Sequence, residues 1–229
     1  MTKLTSDTVR LSPPSAAASP EPPRDCALCP RLVAFRHANA AAEPDWFNAP
    51  VPSFGSDKAR LLVVGLAPGL KGANRTGRPF TGDYAGELLY GTLLAHGFAR
   101  GTYGARPDDG LELADCMIAN AVRCVPPENK PTPAEAATCN RFLAARISAQ
   151  RHLTAVLALG RIAHDATLTA LGRRKSEFAF AHGAEHAVAP GVTLFDSFHC
   201  SRYNTSTRRL TPEMFDAVVA RIRARLDAR

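Results

Sequence analysis

The segment Leu61-Leu-Val-Val-Gly-Leu-Ala-Pro-Gly69 decides the fold, because an almost continuous apolar run leads straight into a turn rich in glycine and proline. Such a run is typical of a strand in a parallel sheet, where helices cover both faces. Three more segments have the same character and are predicted to be buried strands: residues 117–122 (MIANAV), 155–159 (AVLAL) and 192–198 (VTLFDSF).

Helical patterns lie between and after these strands, at residues 86–96, 133–150, 161–171 and 211–228. The second helix begins with a capping box, in which Thr132 precedes Pro133 and is followed three residues later by Glu135. Strands that alternate with helices favour right-handed crossovers, which predicts an α/β fold. We expect a three-layer α/β/α sandwich with a central four-stranded parallel sheet, whose ligand site lies at the carboxyl ends of the strands.

The composition is that of one globular domain preceded by a polar tail. The chain has 229 residues, 45% of them hydrophobic, and a formal net charge of +7. Residues 1–24 are rich in Ser, Ala and Pro, so we predict a disordered tail followed by a single domain over 25–229. The chain shows neither an apolar run near the ~20 residues that span a bilayer nor a signal segment, so we expect a cytoplasmic protein with no membrane partner. The positive charge is compatible with a nucleic-acid partner but not specific for one.

Four of the six cysteines have a spacing that suggests a metal centre. Cys26 and Cys29 form a C-x-x-C pair, Cys124 follows the second predicted strand, and Cys139 lies on the apolar face of the next helix. Four thiolates can close around zinc or a [4Fe–4S] cluster, and the spacing does not separate the two. Two alternatives stay open: Cys124 and Cys139 are ordinary buried cysteines, or the C-x-x-C is a redox pair.

Four motifs stand at the predicted strand ends: residues 65–69 (GLAPG), 74–83 (NRTGRPFTGD), 120–124 (NAVRC) and 199–205 (HCSRYNT). Together they resemble the family 5, or B-type, uracil-DNA glycosylases, an iron–sulfur branch of the uracil-DNA glycosylase superfamily. The resemblance covers nearly all of residues 25–225. It implies that Cys26, Cys29, Cys124 and Cys139 hold a [4Fe–4S] cluster, with zinc as the alternative.

The resemblance also implies a pocket for a nucleobase that has been turned out of the duplex. Phe80 would stack on the base, Asn120 would pair with its polar edge, and His199 would stabilise the departing anion with a hydrogen bond. Each of these residues also has a structural interpretation, as core, capping or surface side chain. The backbone expected around the base belongs to Gly65, Ala67 and Gly69.

The first motif lacks the polar side chain that positions the attacking water in related branches. Related branches carry a carboxylate or an asparagine in the first motif, where this chain has Leu66 and Ala67. Asp83 is therefore our candidate to position water, and its structural alternative is the N-cap of the following helix.

Two loops supply the side chains expected to hold DNA. The resemblance implies that Arg202 and Tyr203 wedge into the duplex as the base leaves. The predicted DNA-binding residues are Lys71, Arg75, Arg78, Ser201, Arg202, Tyr203 and Asn204. The alternative is that these charges form an ordinary solvated surface.

The sequence thus predicts a monomeric, nucleoid-associated DNA glycosylase. We expect it to hydrolyse the N-glycosidic bond of uracil and other deaminated bases, such as hypoxanthine and xanthine, as the first step of base-excision repair. The competing hypotheses are a non-catalytic iron–sulfur binder of damaged DNA and a different four-cysteine redox or zinc module. The glycosylase assignment depends on whether the loops after the first, second and fourth predicted strands converge on one pocket, whereas the four-cysteine centre does not.

Overall fold

A six-stranded mixed sheet forms the centre of the protein, of which the computed structural model describes residues 19–228. In chain order the strands are β1 Phe54–Gly55, β2 Leu61–Gly65, β3 Ala99–Arg100, β4 Glu112–Leu113, β5 Cys116–Asn120, β6 Ala155–Leu159, β7 Glu185–Ala189 and β8 Val192–Ser197. The sheet order is β1-β5-β2-β6-β8-β7, and β3 pairs with β4 in a separate hairpin. Strands β5, β2, β6 and β8 are mutually parallel, as predicted, and have the expected α/β arrangement.

Two antiparallel edge strands, β1 and β7, extend the predicted four-stranded sheet. Neither has the apolar run that marked the central strands. Strand β1 has two residues, and of the five residues of β7 only Val188 is buried. Short edge strands limit pairing with other chains, so the length of β1 and β7 suits an edge position.

Helices cover both faces of the sheet. They are α1 Pro30–Ala42, α2 Ala73–Thr76, α3 Tyr84–Ala95, α4 Pro133–Ala149, α5 Arg161–Ala170, α6 Arg202–Ser206 and α7 Pro212–Asp227. The predicted capping box is present at α4, where the Thr132 side chain accepts from the Glu135 N–H and the Glu135 side chain accepts from the Thr132 N–H. Among the helices of residues 19–228, none combines the length and apolarity needed to cross a bilayer.

The side chains of β2 alternate between the two faces of the sheet, which explains why helices pack on both sides of it. Leu61 and Val63 belong to a core cluster that includes residues of α3 and α7, whereas Leu62 and Val64 belong to a second cluster with residues of α4 and α5. Successive side chains of a strand point to opposite faces, so one wholly apolar strand joins both cores. This arrangement positions the carboxyl end of β2 at the centre of one edge of the molecule.

The disordered tail was predicted over residues 1–24, of which 1–18 lie outside the described residues. Within the described part of that segment, Glu21 forms ion pairs with the buried Arg123, at 2.9 Å, and Arg146, at 2.5 Å. The composition of residues 19–24 did not reveal this role, because both cationic partners lie more than a hundred residues away along the chain.

Candidate active site and cysteine centre

A cleft of about 410 Å³ opens at the carboxyl ends of the parallel strands. Phe80, Asn120 and His199 all line it, together with Asp83. These residues come from the loop after β2, the end of β5 and the loop after β8. The structure therefore brings together the residues that the sequence placed in one pocket, at the edge where open α/β sheets bind ligands.

Phe80 forms one wall of the cleft in an unusual backbone conformation. Its φ is +54°, a left-handed value that is costly for a bulky residue and that clusters at functional sites. The ring is 6% exposed and lies against the His199 ring, with centroids 5.8 Å apart and planes inclined by 29°. A side chain on Gly65 would overlap both Phe80 and Asn120, so glycine there permits the two to meet. Phe80 thus belongs to the core and to the cleft wall at once.

Asn120 presents an unsatisfied polar atom at the cleft. The residue ends β5 and is 3% exposed, and its Oδ1 has no hydrogen-bond partner among residues 19–228. Leaving a buried acceptor unpaired costs about 1–3 kcal/mol, which a ligand with a suitable N–H would recover.

His199 is an uncharged imidazole at neutral pH. Burial lowers its pKa to about 4. Its backbone carbonyl accepts a hydrogen bond of 2.8 Å from the Asn204 side-chain amide, which fixes the loop after β8. A neutral imidazole in this position can donate one N–H to a developing anion without bringing a positive charge.

Asp83 takes the capping role that was its structural alternative, and it also lines the cleft. It is the N-cap of α3, where Oδ1 accepts from the Gly86 N–H at 3.3 Å. Its Oδ2 faces Gly69 and Gly72, and a Cβ on Gly72 would overlap it. Burial raises the pKa of the carboxyl, although the N–H groups of Gly86 and Ala85 oppose that shift. One oxygen therefore holds the helix while the other stays available at the cleft.

The rim of the cleft carries the predicted wedge. Arg202 is exposed at the start of α6, with its guanidinium 5.0 Å from the Tyr84 ring centroid. Tyr203 is 70% exposed, as a residue that inserts into a duplex must be. Ser201 lines the cleft and caps α6 by accepting from the Asn204 N–H. Asn204, predicted to bind DNA, has its amide group turned to the backbone of His199 instead.

The four predicted metal-binding cysteines gather at one place beside β5. Cys29 is the N-cap of α1, Cys26 lies before it, Cys124 follows β5, and Cys139 lies in α4. All four line one small cavity together with Leu32 and Phe142. The N–H of Arg123 donates to the Cys139 sulfur at 3.3 Å. The structure thus brings together two segments that lie far apart in the sequence.

Burial raises the pKa of these thiols, that of Cys139 to about 11 and those of Cys29 and Cys124 in the same direction. They therefore need a bound cation to become thiolates. Among residues 19–228, one group of metal-binding side chains has its ligand atoms all within 4.8 Å of one another, and it consists of His164, His186 and Asp196. The sulfurs of the cysteine centre are accordingly spread more widely than that.

Comparison with known proteins shows the family. A model of the uracil DNA glycosylase superfamily matches residues 52–223. The chain is 46% identical over 196 residues to the type-5 uracil-DNA glycosylase of Thermus thermophilus, covering 83% of this chain and 89% of that protein. It is 40% identical to the type-5 enzyme of Pyrobaculum aerophilum, covering 87% and 88%, and 40% identical to that of Mycobacterium tuberculosis, covering 84% and 75%. The chain belongs to the type-5 uracil-DNA glycosylases.

The position of Arg78 in this glycosylase shows that one predicted DNA contact is wrong. It was expected to contact DNA, but its side chain is buried and forms a bidentate ion pair with Asp109, with contacts of 2.9 and 2.6 Å. Its guanidinium also lies 5.5 Å from the centre of the Tyr90 ring. The partner acid lies 31 residues away, so the local sequence gave no sign of it. Lys71 and Arg75, on the same loop, are exposed and stay candidates for DNA contact.

Asn129 and Tyr84 line the cleft of this glycosylase but were not predicted from its sequence. Asn129 has a φ of +56° in the loop after Cys124. Its position after two prolines was an available signal, since asparagine tolerates the left-handed conformation in turns. Tyr84 is 43% exposed at the start of α3, directly after Asp83.

Proposed function

We propose that this uracil-DNA glycosylase hydrolyses the N-glycosidic bond of uracil in DNA and leaves an abasic site, as the first step of base-excision repair. The observation that carries the proposal is the unpaired, buried Oδ1 of Asn120, which shares one cleft with Phe80 and His199. A flat ring with an N–H on its edge suits this combination. An extruded uracil has both, and the names of the relatives point to the same base.

The proposed chemistry assigns one task to each group. Phe80 stacks on the ring, and the amide of Asn120 pairs with uracil N3–H and O4. As the glycosidic bond breaks, negative charge grows on the base, and the neutral His199 donates a hydrogen bond to O2. Asp83 orients the water that attacks the sugar, using the carboxylate oxygen that does not cap α3. Removing one such preorganised donor costs about 10²–10³ in rate.

The test is an assay on duplexes that carry uracil, followed by alkali to cleave abasic sites. We expect His199→Ala to lose about 10²–10³ in rate. His152→Ala is the matched control, because His152 is exposed and lies outside the cleft, and it should retain full activity. Full activity in His199→Ala would overturn the assigned role. Binding of damaged DNA by the wild type without any abasic product would favour a non-catalytic binder.

The substrate range is proposed to extend to hypoxanthine and xanthine. The first motif supplies Leu66 and Ala67 where a larger polar side chain would restrict the space beside the base. The cleft volume of about 410 Å³ supports entry of a two-ring base. The same assay with these bases tests this part separately, since activity confined to uracil would reject it and leave the main proposal intact.

We further propose that Cys26, Cys29, Cys124 and Cys139 hold a [4Fe–4S] cluster with a structural role. Four cysteine thiolates are the ligand set of a [4Fe–4S] cluster and also of structural zinc, and the resemblance to the iron–sulfur branch of the superfamily favours the cluster. A cluster would provide a cross-link between the segment before α1 and the β5–α4 region. Absorbance in the visible range together with about four iron atoms per chain tests this, whereas a colourless zinc protein would refute it.

DNA is proposed to lie across the rim of the cleft. Arg202 is exposed at the rim and Lys71 and Arg75 are exposed on the segment after β2, where they would contact phosphates, while Tyr203 would fill the space left by the extruded base. We propose that the protein acts as a monomer on chromosomal DNA.

A further inference from the structure

Arg36 is a buried cation at the cysteine centre. It belongs to α1 and is 3% exposed. Its Nη1 donates to Cys124 Sγ at 3.2 Å, and its Nη2 donates to the Cys26 carbonyl at 3.1 Å. The guanidinium therefore bridges the C-x-x-C segment and the segment after β5.

The other buried arginines of the described chain differ from Arg36 in their partners. Arg78, Arg123 and Arg146 each form an ion pair with a carboxylate. Among the ion pairs of residues 19–228, none includes Arg36. A buried guanidinium that lacks an anionic partner carries a large desolvation cost, so its negative partner must be sought among the groups it touches.

We propose that Arg36 is the counter-charge of the cysteine centre and that it positions the sulfur of Cys124. The inference rests on the metal-binding part of the proposed function. Four thiolates outweigh the two positive charges of a [4Fe–4S] core or of a zinc ion, so a loaded centre carries net negative charge in either case. The Arg36 guanidinium offsets part of that charge and ties both halves of the site together.

This role has two measurable consequences. Reduction adds an electron to an already negative centre, so a nearby cation makes reduction easier. Removing that cation should lower the midpoint potential of the cluster. Loss of the bridge between Cys124 and the Cys26 backbone should also speed release of the metal, because residues that hold metal ligands in place typically contribute about 10-fold or more to affinity.

The test uses the loaded full-length protein and three variants. Arg36→Gln removes the positive charge. Arg36→Lys keeps the charge but lacks the planar guanidinium that reaches both Cys124 Sγ and the Cys26 carbonyl. Arg151→Gln is the matched control, because Arg151 is an exposed arginine just beyond the end of α4, away from the cysteine centre. The measurements are the midpoint potential and the rate at which visible absorbance is lost in excess chelator.

For Arg36→Gln we expect a lower potential and about 10-fold faster loss of the cluster. Arg36→Lys should keep the wild-type potential and lose the cluster at an intermediate rate, and Arg151→Gln should match the wild type in both. Equal potentials and loss rates for Arg36→Gln, Arg151→Gln and wild type would overturn the proposal. If Arg36→Gln does not fold, a wild-type loss rate in Arg36→Lys overturns the bridging role.

A zinc-loaded protein would refute the iron assignment without deciding the role of Arg36. In that case the same variants are compared by the rate of zinc release to a chromogenic chelator. Faster release from Arg36→Gln than from Arg151→Gln would support the counter-charge, and equal rates would overturn it.

Discussion

Burial determines what His199 and Asp83 can do. It lowers the pKa of His199 to about 4, so the imidazole is neutral over the range in which the enzyme works. It raises the pKa of Asp83, which moves the carboxyl's titration toward neutral pH. The two shifts have one cause, because a buried site disfavours the charged form of each group. Protonation of Asp83 removes the carboxylate proposed to orient water, so activity should fall as the pH falls through its raised pKa.

The pH profile of kcat/KM tests that assignment. The ionised carboxylate is the active form, so wild-type activity should fall as the pH falls through the raised pKa of Asp83. Asp83→Asn should keep the helix cap, since asparagine caps well, but should be slow and should lack this acidic limb. His199→Gln should also be slow, but its activity should still fall at low pH as in the wild type. Loss of the limb in His199→Gln would contradict the prediction.

Arg78 and Arg75 are two arginines of one loop with different predicted effects. Breaking the buried Arg78–Asp109 pair leaves an uncompensated charge, so Arg78→Gln should lower the free energy of unfolding by about 3 kcal/mol. Arg75→Gln should leave stability unchanged, weaken DNA binding and reduce the salt slope of binding by about one. Urea titrations and binding at several salt concentrations measure the two effects. A reduced salt slope in folded Arg78→Gln would contradict the structural role of Arg78.

At the scale of elements, strand β8 is held next to the active site by a buried charge network. Asp196, on β8, faces His164 of α5 at 2.8 Å and His186 of β7 at 3.1 Å. The other ring nitrogen of His164 faces the Phe178 carbonyl at 3.0 Å, so it must carry a proton. Burial alone would lower the pKa of His164, but the hydrogen bond and charge of Asp196 raise it above its ordinary value. His164 is thus held as a cation within the network.

This network predicts a pH dependence of stability. Because the folded-state pKa of His164 is raised, its contribution is complete below the unfolded value of 6.5 and is lost as the pH rises through the folded value. Urea unfolding of the wild type should therefore show this loss on the alkaline side. Asp196→Asn should lower stability by about 3 kcal/mol near pH 6 and remove that alkaline dependence. An unchanged alkaline dependence in the variant would contradict the network.

The elements differ in how far the sequence could predict them. Strand β2 and its parallel neighbours were predictable because burial on both faces demands continuous apolar runs. The edge strands β1 and β7 were not, because an edge needs no such run. The sequence identified three residues of the site because their motifs stand at the ends of predicted strands; they are Phe80, Asn120 and His199. Arg78 was misassigned because a distant acid determines its environment.

At the scale of the whole molecule, Glu21 connects the start of the described chain to its interior. Its carboxylate pairs with Arg123 and Arg146, which are both buried. Burial alone would raise the pKa of this carboxyl, but Arg123 and the hydrogen bonds from Ser53 and Arg146 lower it. Glu21 is therefore packed as part of the domain, although it lies before the first cysteine.

Glu21→Gln should destabilise the protein, because it leaves two buried cations with weakened partners. We expect a loss of about 1–3 kcal/mol in the free energy of unfolding, measured by urea titration of the loaded protein. Glu43→Gln, at an exposed glutamate near the end of α1, is the control and should have no effect. Equal stability of the two variants would contradict the role of Glu21.

The distribution of the four cysteines along the chain has a consequence for biosynthesis. Cys26 and Cys29 leave the ribosome early, whereas Cys124 and Cys139 emerge only after the first half of the chain has been made. Chains grow at about 5–20 residues per second, so the early thiols wait several seconds without their partners. Under the proposal that the four cysteines hold a cluster, delivery of metal to the complete site would follow translation of α4.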